Sequence, residues 1–176
     1  MKVYLKPLGR EYAADLHAAS QVEEIRFLTN TQANFSLEQI QAHLKNISED
    51  ETRIDFAICL LSDDSYVGEL TIYDIDKDNE SAGFRIALGS LKHFNKGYGS
   101  QAISLVLAYV FEELKLNRLQ LEVYSHNPRA INFYKKQGFI EEGRLREAIK
   151  IDNHYYDEII MSVINTDYFK SKLKVK

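Results

Sequence analysis

The segment 94–102 reads FNKGYGSQA and carries a glycine-rich loop directly into a long helix that the sequence predicts from residue 97 onward. Glycine lets the backbone approach a ligand closely, and the first turn of a helix presents N–H groups that have no acceptor within the helix. The same turn is the positive end of the helix dipole. We therefore predict an anion site here, suited to a pyrophosphate held mainly by the backbone amides of Lys96 through Ser100.

Two nucleotide-binding motifs match this loop in part. The loop lacks the Gly-Lys-Ser/Thr ending of a P-loop, which argues against hydrolysis of a nucleoside triphosphate. The spacing Gly97-x-Gly99-x-x-Ala102 fits the dinucleotide fingerprint. That motif, however, requires a strand ending at its first glycine, and here the segment 89–96 intervenes. A loop whose glycines only allow the chain to turn is the third interpretation.

Hydrophobic periodicity predicts a mixed α/β fold around this loop. Strands are expected at 2–8, 54–61, 66–75, 81–88, 119–124, 139–151 and 155–164. Helices are expected at 10–20, from the capping box Ser36-Leu37-Glu38-Gln39 through Ile47, from 97 through Leu114, and at 128–137. This order predicts one twisted central sheet of about seven strands, mostly antiparallel and flanked by about four helices. We expect a single domain that spans residues 1–176.

A second informative segment, 122–139, reads EVYSHNPRAINFYKKQGF and follows the predicted fifth strand. Asn127 is a favoured N-cap residue, Pro128 suits the first helical position and Gly138 is placed to end the helix. Ala130 and Tyr134 lie on one face of this helix because they are four residues apart. The tyrosine hydroxyl is therefore expected to project where the small alanine leaves room for a ligand.

Together these segments resemble the GNAT superfamily of N-acetyltransferases. The similarity is greatest to the branch that contains the RimJ/RimL-type ribosomal-protein N-terminal acetyltransferases and the spermidine acetyltransferases. It is carried by the glycine loop before a long helix and by the pattern Asn-x-x-Ala-x-x-x-Tyr-x-x-x-Gly-Phe at 127–139. The segments 142–147 and 154–162 are similar to the last two strands of that branch. The resemblance spans residues 4–169 and implies the GNAT fold.

The resemblance also implies an activity: acetyl-CoA donates an acetyl group to a primary amine, which attacks the thioester directly. It implies that Tyr134 gives a proton to the departing thiolate and that Asn127 binds the coenzyme arm. It places an oxyanion donor near residues 86–88, at the end of the fourth strand. The implied coenzyme contacts are Ala87, Leu88, Gly89, Phe94, Asn95, Lys96, Gly97, Tyr98, Gly99, Ser100, Asn127, Ala130 and Tyr134.

The reaction needs a proton acceptor, because an amine attacks only in its neutral form and free alkylamines are mostly protonated near pH 7. Glu69 and Glu80 are the candidates, since the third and fourth strands approach the amine side in the GNAT fold. We assign Glu69 as the catalytic base and interpret Glu80 as a solvated charge. The acidic hairpin Asp74, Asp76, Asp78 and Glu80 would attract a polyamine or a basic N-terminus, although such runs are commonly solvated turns.

The amine acceptor stays open at this point. A protein N-terminal amine or a small-molecule amine is the first hypothesis, and a spermidine-type enzyme is the second. In spermidine-type relatives the loop between the first helices carries acidic residues, whereas 30–35 here reads NTQANF and has none. The hypothesis from another class is a non-catalytic acyl-CoA-binding regulatory module, against which the presence of Tyr134 argues.

Composition limits the partners and the location. The 22 basic and 26 acidic residues give a net charge of −4, which argues against a nucleic-acid binder. The single cysteine, Cys59, lies in an apolar run and is expected to be a buried strand residue. The five histidines have no metal-ligand spacing, so no metal is expected. Without a signal-peptide pattern or a membrane-spanning run, we expect a cytoplasmic protein, and its relatives suggest a homodimer.

Overall fold

A computed structural model describes residues 1–173 of the chain. Its strands are β1 Val3–Pro7, β2 Ile54–Leu60, β3 Tyr66–Asp76, β4 Ser81–Leu88, β5 Arg118–Tyr124, β6 Ile140–Ile151 and β7 His154–Ile164. Its α-helices are α1 Ala13–Ser20, α2 Glu23–Leu28, α3 Leu37–Ile47, α4 Tyr98–Ala108, α5 Pro128–Lys136 and α6 Asn165–Leu173. Helix α4 continues into a π-helical turn at Tyr109–Glu113.

The strands form one seven-stranded sheet in the order β1-β2-β3-β4-β5-β7-β6. The β4–β5 pair is parallel, and its register joins Ser81–Gly83 to Arg118–Gln120. The pairs β1–β2, β2–β3, β5–β7 and β6–β7 are antiparallel. The predicted mixed, mostly antiparallel sheet is therefore confirmed.

The chain divides into two compact units. The first comprises Met1–Tyr73 and Arg85–Leu105, and the second comprises Asp74–Phe84 and the chain from Val106 onward. Each unit has a set of fully buried apolar side chains of its own.

The core of the first unit is built on β2 and β3, with helix α3 packed against α1. Cys59 is fully buried in β2, as predicted. Helix α3 buries Ile40, Leu44 and Ile47, which lie on one helix face because of their spacing. The predicted capping box is confirmed, since Ser36 Oγ accepts the Gln39 amide and the Gln39 side chain accepts the Ser36 amide.

The second unit is organised by β5 and β7, whose inward side chains alternate along both strands. Three cross-strand pairs are buried on the same face: Leu119 with Val163, Leu121 with Met161, and Val123 with Ile159. Helix α6 is docked by the Tyr168 ring, whose centroid lies 5.1 Å from that of Phe111. Burial of these apolar surfaces supplies the main driving force for folding the unit.

The structure contains two short helices that the sequence did not predict. Helix α2 has six residues, and its buried residue Ile25 is too isolated to produce a periodic signal. Helix α6 was not predicted because Tyr168 is its single buried residue, which leaves no hydrophobic period in a polar segment. The predicted strands begin and end within about two residues of the observed bounds. Within residues 1–173, no helix combines the length and the apolar composition needed to cross a bilayer.

Candidate active site

The glycine loop lies in the first unit and links β4 to α4. Two of its residues adopt positive φ angles, Asn95 at 61° and Gly97 at 80°. The amide of Gln101 donates to the Gly97 carbonyl at 3.2 Å, which is the i→i−4 bond of the first helical turn. The amides of Tyr98 and Gly99 precede that bond, as helix geometry requires at an N-terminus. The predicted helix start is therefore confirmed.

The charge around this loop is uniformly positive. The segment 81–111 contains no aspartate or glutamate, and it carries Arg85, Lys92 and Lys96. Both lysines are exposed on the loop. Positive charge beside a helix N-terminus favours a bound anion, because the charges and the helix dipole act in the same direction. The loop therefore fits the diphosphate of a coenzyme in both donor geometry and charge.

The end of β4 is held unusually close to β3. A Cβ atom on Gly68 would lie 2.3 Å from the Ala87 carbonyl oxygen, so only glycine allows this approach. A Cβ atom on Gly89 would lie 2.6 Å from the Tyr66 ring. The Gly89 amide donates to the Val67 carbonyl at 2.8 Å, which removes it from the set of amides that could bind a coenzyme. Ala87 and Leu88 are partly buried at this strand end.

Glu69, the predicted base, lies on β3 opposite Ala57 of β2. The Tyr66 hydroxyl donates to Glu69 Oε2 at 3.3 Å. Burial raises the pKa of the Glu69 carboxyl, while the positive charge of Arg85 and the Tyr66 hydrogen bond act against this shift. Burial also raises the pKa of the Tyr66 phenol strongly, so the phenol stays protonated and remains a donor. A carboxylate with a raised pKa is well suited to accept a proton.

Asp55 lies on the neighbouring strand and points to the same face, but its carboxylate is already fully engaged. Arg53 Nε and Nη2 donate to the two Asp55 oxygens at 2.7 Å each, and Thr71 Oγ1 donates to Oδ1 at 2.7 Å. The Asp55 side chain is 7% exposed. Removing it would break the ion pair with Arg53 at a largely buried site, which is destabilising. Asp55 therefore has a structural role, and Glu69 is the carboxylate available for chemistry on this face.

Asn127 and Ala130 lie in the second unit at the start of α5. Asn127 is the N-cap, and its Oδ1 accepts the Ala130 amide at 3.0 Å. Pro128 occupies the first helical position. Gly138 follows the helix at a φ of 94°, a conformation that favours glycine. The Asn127 cap, the position of Pro128 and the terminating Gly138 were predicted from the sequence, and all three are confirmed.

Tyr134 is the buried residue of α5, with 8% of its surface exposed. Its ring centroid lies 5.4 Å from that of Phe133 and 5.7 Å from that of Phe139. The neighbouring Phe133 is half-buried. Burial raises the pKa of the Tyr134 phenol, so the hydroxyl carries its proton throughout the neutral range.

The remaining candidates have other roles. Glu80 is exposed in the turn before β4, where its carbonyl accepts the amides of Asn117 and Arg118. Asp76 caps that turn through its bonds to the amides of Asp78 and Asn79. Within the described part of the chain, no cluster of three or more His, Cys, Asp or Glu side chains is arranged to hold a metal ion.

Several residues around Glu69 and the loop have no recognisable signal in the sequence. Tyr66, Arg85 and Arg53 act on carboxylates through contacts between strands, which have no signature in a single sequence. His93 was noted only as one of five histidines without metal-ligand spacing. Its position just before the glycine loop was the one available hint of its importance.

Comparison with known proteins identifies the family. The sequence model of the Acetyltransferase (GNAT) domain matches residues 2–140. The SPbeta prophage-derived N-acetyltransferase YokL of Bacillus subtilis (strain 168) is 31% identical over 124 residues, covering 70% of this chain and 68% of YokL. The spermidine N(1)-acetyltransferase of Escherichia coli (strain K12) is 28% identical over 170 residues, covering 94% of this chain and 88% of that enzyme.

The fold agrees with this result. The crystal structure of spermidine N-acetyltransferase from Vibrio cholerae in complex with CoA and spermine superposes with a TM-score of 0.89 at 24% identity, covering 96% of this chain and 98% of that one. The chain belongs to the GNAT acetyltransferase family. It is an N-acetyltransferase that uses acetyl-CoA as the acetyl donor and acetylates an amine.

Substitutions at Asn127 can distinguish its role as a helix cap from its expected role in binding the coenzyme. Asn127→Ala removes the cap and should lower the free energy of unfolding by about 1 kcal/mol in urea denaturation. Asn127→Asp keeps an oxygen acceptor for the Ala130 amide, so it should restore that stability. If the Asn127 amide group also donates to the coenzyme, both variants should weaken acetyl-CoA binding by about fivefold in calorimetry.

The matched control is Ser36→Ala, which removes the cap of α3 at a similar cost in stability. It should leave the affinity for acetyl-CoA unchanged. If Asn127→Asp binds acetyl-CoA as tightly as the unmodified protein, Asn127 is a helix cap and has no role in coenzyme binding.

Proposed function

We propose that residues 1–176 act as one catalytic domain, that its acceptor is a primary alkylamine, and that Glu69 and Tyr134 carry the proton transfers. The observation that carries the proposal is the Glu69 carboxyl, which belongs to a partly buried residue, has a raised pKa and has no bidentate partner of the kind that engages Asp55. The family match crosses both compact units, which supports a single domain. We also place the protein in the cytoplasm.

The coenzyme supplies the activated acetyl group as a thioester. We infer that the amides and lysines of the glycine loop hold its diphosphate, with Asn127 and Ala130 assigned to the pantetheine arm. Glu69 accepts a proton from the acceptor ammonium, which leaves the neutral amine required for attack. Tyr134 donates its phenolic proton at the departing sulfur. The position of Tyr134 one helical turn after Ala130 on α5 supports this assignment.

We further propose a polyamine as the acceptor. The support comes from the Escherichia coli relative, a spermidine acetyltransferase that aligns over nearly the whole of this chain. The exposed carboxylates of the 74–80 turn add a negative surface that would attract a cation. The uncharged loop 30–35 instead favours an acceptor of lower charge, so a peptide N-terminal amine is the second candidate.

A thiol-release assay with acetyl-CoA tests the acceptor class. Spermidine should give a kcat/KM at least tenfold above that of a monoamine of similar length and above that of peptides with a free N-terminus. A higher value for the peptides would replace the polyamine proposal with the N-terminal one. Thiol release with none of these amines would contradict the assignment to alkylamines.

The pH dependence of kcat/KM tests the role of Glu69. Activity should fall as the pH drops through the pKa of Glu69, because the protonated carboxyl cannot accept a proton. Arg85 lowers that pKa, so Arg85→Met should move the acidic limb to higher pH. Glu69→Gln should lower kcat by at least about 100-fold.

Arg10→Met is the matched control, because Arg10 is an exposed arginine of the same unit and does not act on Glu69. Its profile should overlay that of the unmodified enzyme. An acidic limb that persists in Glu69→Gln would show that another group accepts the proton.

Replacing Tyr134 by phenylalanine tests the proton donor. Tyr134→Phe keeps the ring that packs against Phe139, so the affinity for acetyl-CoA should stay within about twofold. The kcat should fall by about 100-fold or more, because general acid catalysis is lost. Tyr155→Phe, at a tyrosine that is 57% exposed, should leave both constants unchanged. Equal turnover in Tyr134→Phe would remove Tyr134 from the mechanism.

We also propose that the protein forms a homodimer through the β6–β7 hairpin. Strand β6 is the outer strand of the sheet, and the hairpin exposes Ile140, Leu145 and Tyr155, each more than half accessible. An open edge strand with exposed apolar side chains favours pairing with another chain. Light scattering should show a dimer that Leu145→Asp converts to a monomer, whereas a monomeric unmodified protein would contradict this proposal.

A further inference from the structure

His93 makes an unusual contact in the short 3₁₀ turn Leu91–His93 that lies between β4 and the glycine loop. Its ring Nδ1 lies 3.0 Å from the backbone carbonyl oxygen of Val67 on β3. The ring is partly buried. A residue next to the coenzyme loop is thus bonded to the backbone of a central strand.

The chemistry of the acceptor fixes the tautomer of this histidine. A carbonyl oxygen can only accept, so Nδ1 must carry the proton and act as the donor. The same Val67 oxygen also accepts the Gly89 amide at 2.8 Å. One carbonyl therefore binds both the end of β4 and the residue that precedes the loop.

The other side of the His93 ring contacts the start of α4. Its centroid lies 6.2 Å from that of Tyr98, with the two rings inclined by 64° in an edge-to-face arrangement. Tyr98 is the first residue of α4. His93 therefore contacts β3 on one side of the loop 94–97 and the helix start on the other.

The backbone conformation of the loop 94–97 is the reason that the two His93 contacts matter. Asn95 and Gly97 both have positive φ angles, which a free loop would leave easily. The spacing of the amide donors at the helix start depends on these two residues. A contact that spans both ends of the loop reduces the conformational freedom that a ligand would otherwise have to restrict on binding.

We propose that His93 is a positioning residue, which holds the glycine loop in its coenzyme-binding conformation through the bond to Val67 and the contact with Tyr98. The proposal rests on the proposed role of this loop in binding the diphosphate. His93 acts on the loop and needs no contact with the acceptor amine. Its loss should therefore affect acetyl-CoA selectively.

Three substitutions that all remove the ring test the hydrogen bond to Val67. His93→Asn places an amide donor close to the position of Nδ1, and His93→Gln extends its donor toward the position of Nε2. His93→Ala removes the donor altogether. His93→Ala and His93→Gln should raise the KM for acetyl-CoA by about five- to tenfold, since one hydrogen bond is lost. His93→Asn keeps the bond to Val67 but loses the ring that contacts Tyr98, so its KM for acetyl-CoA should rise by less than that of His93→Ala.

The kinetic constants distinguish positioning from general destabilisation. The kcat and the KM for the amine should stay within about twofold in all three variants, and thermal melting should show that each is folded. The matched control is His154→Ala. His154 Nδ1 also lies 3.0 Å from a backbone carbonyl, that of Asp152, but in the exposed turn between β6 and β7. This variant should keep every constant.

Two results would overturn the proposal: an unchanged KM for acetyl-CoA in His93→Ala, or an effect in His93→Asn as large as in His93→Ala. A general fall in kcat with both KM values raised would also overturn it, because that pattern indicates distortion of the whole domain. Calorimetry of the unmodified protein with acetyl-CoA tests the proposed function separately. Absence of binding there would remove the role of the loop itself, whatever the His93 variants show.

Discussion

The start of α4 is the structural constraint on which the proposed coenzyme site depends. A helix N-terminus has backbone donors that the helix itself cannot satisfy, and here they follow a loop with positive charge and no acidic residue between 81 and 111. Gly97 allows the loop to lead into helix α4, because its φ of 80° is costly for residues that have a Cβ atom. Strand β4 leads into this loop, and its end lies close against β3. Gly68 allows this approach, which a side chain at that position would prevent.

The carboxylates of Asp55 on β2 and Glu69 on β3 are the same chemical group in different surroundings, and their roles differ for that reason. Asp55 is held by Arg53 and Thr71 in short bonds and is committed to structure. Glu69 receives one longer bond from Tyr66, and burial raises its pKa. A carboxyl whose pKa is raised by burial is suited to accept a proton, and Glu69 has fewer hydrogen-bond donors on its oxygens than Asp55. This contrast is the physical basis for assigning the catalytic base to Glu69.

Much of this architecture follows from local sequence signals. The capping box at Ser36, the Asn127 cap, the terminating Gly138 and the seven strands were all predicted, because each depends on neighbouring residues or on a short hydrophobic period. Helix α2 was missed because its single buried residue, Ile25, leaves no period to detect. The Tyr66–Glu69 bond, the engagement of Asp55 and the His93–Val67 contact were also missed. They depend on strand register and on the path of a loop, which a single sequence does not encode locally.

The most direct test of this account is an NMR titration of the ¹⁵N-labelled protein with acetyl-CoA, following the backbone amides individually. The account predicts saturable shifts that are largest at the amides of Lys96 through Ser100, since these donors would bind the diphosphate. If the coenzyme bound with saturable shifts elsewhere while those amides did not move, the helix N-terminus would not be the anion site, and the central claim would be wrong.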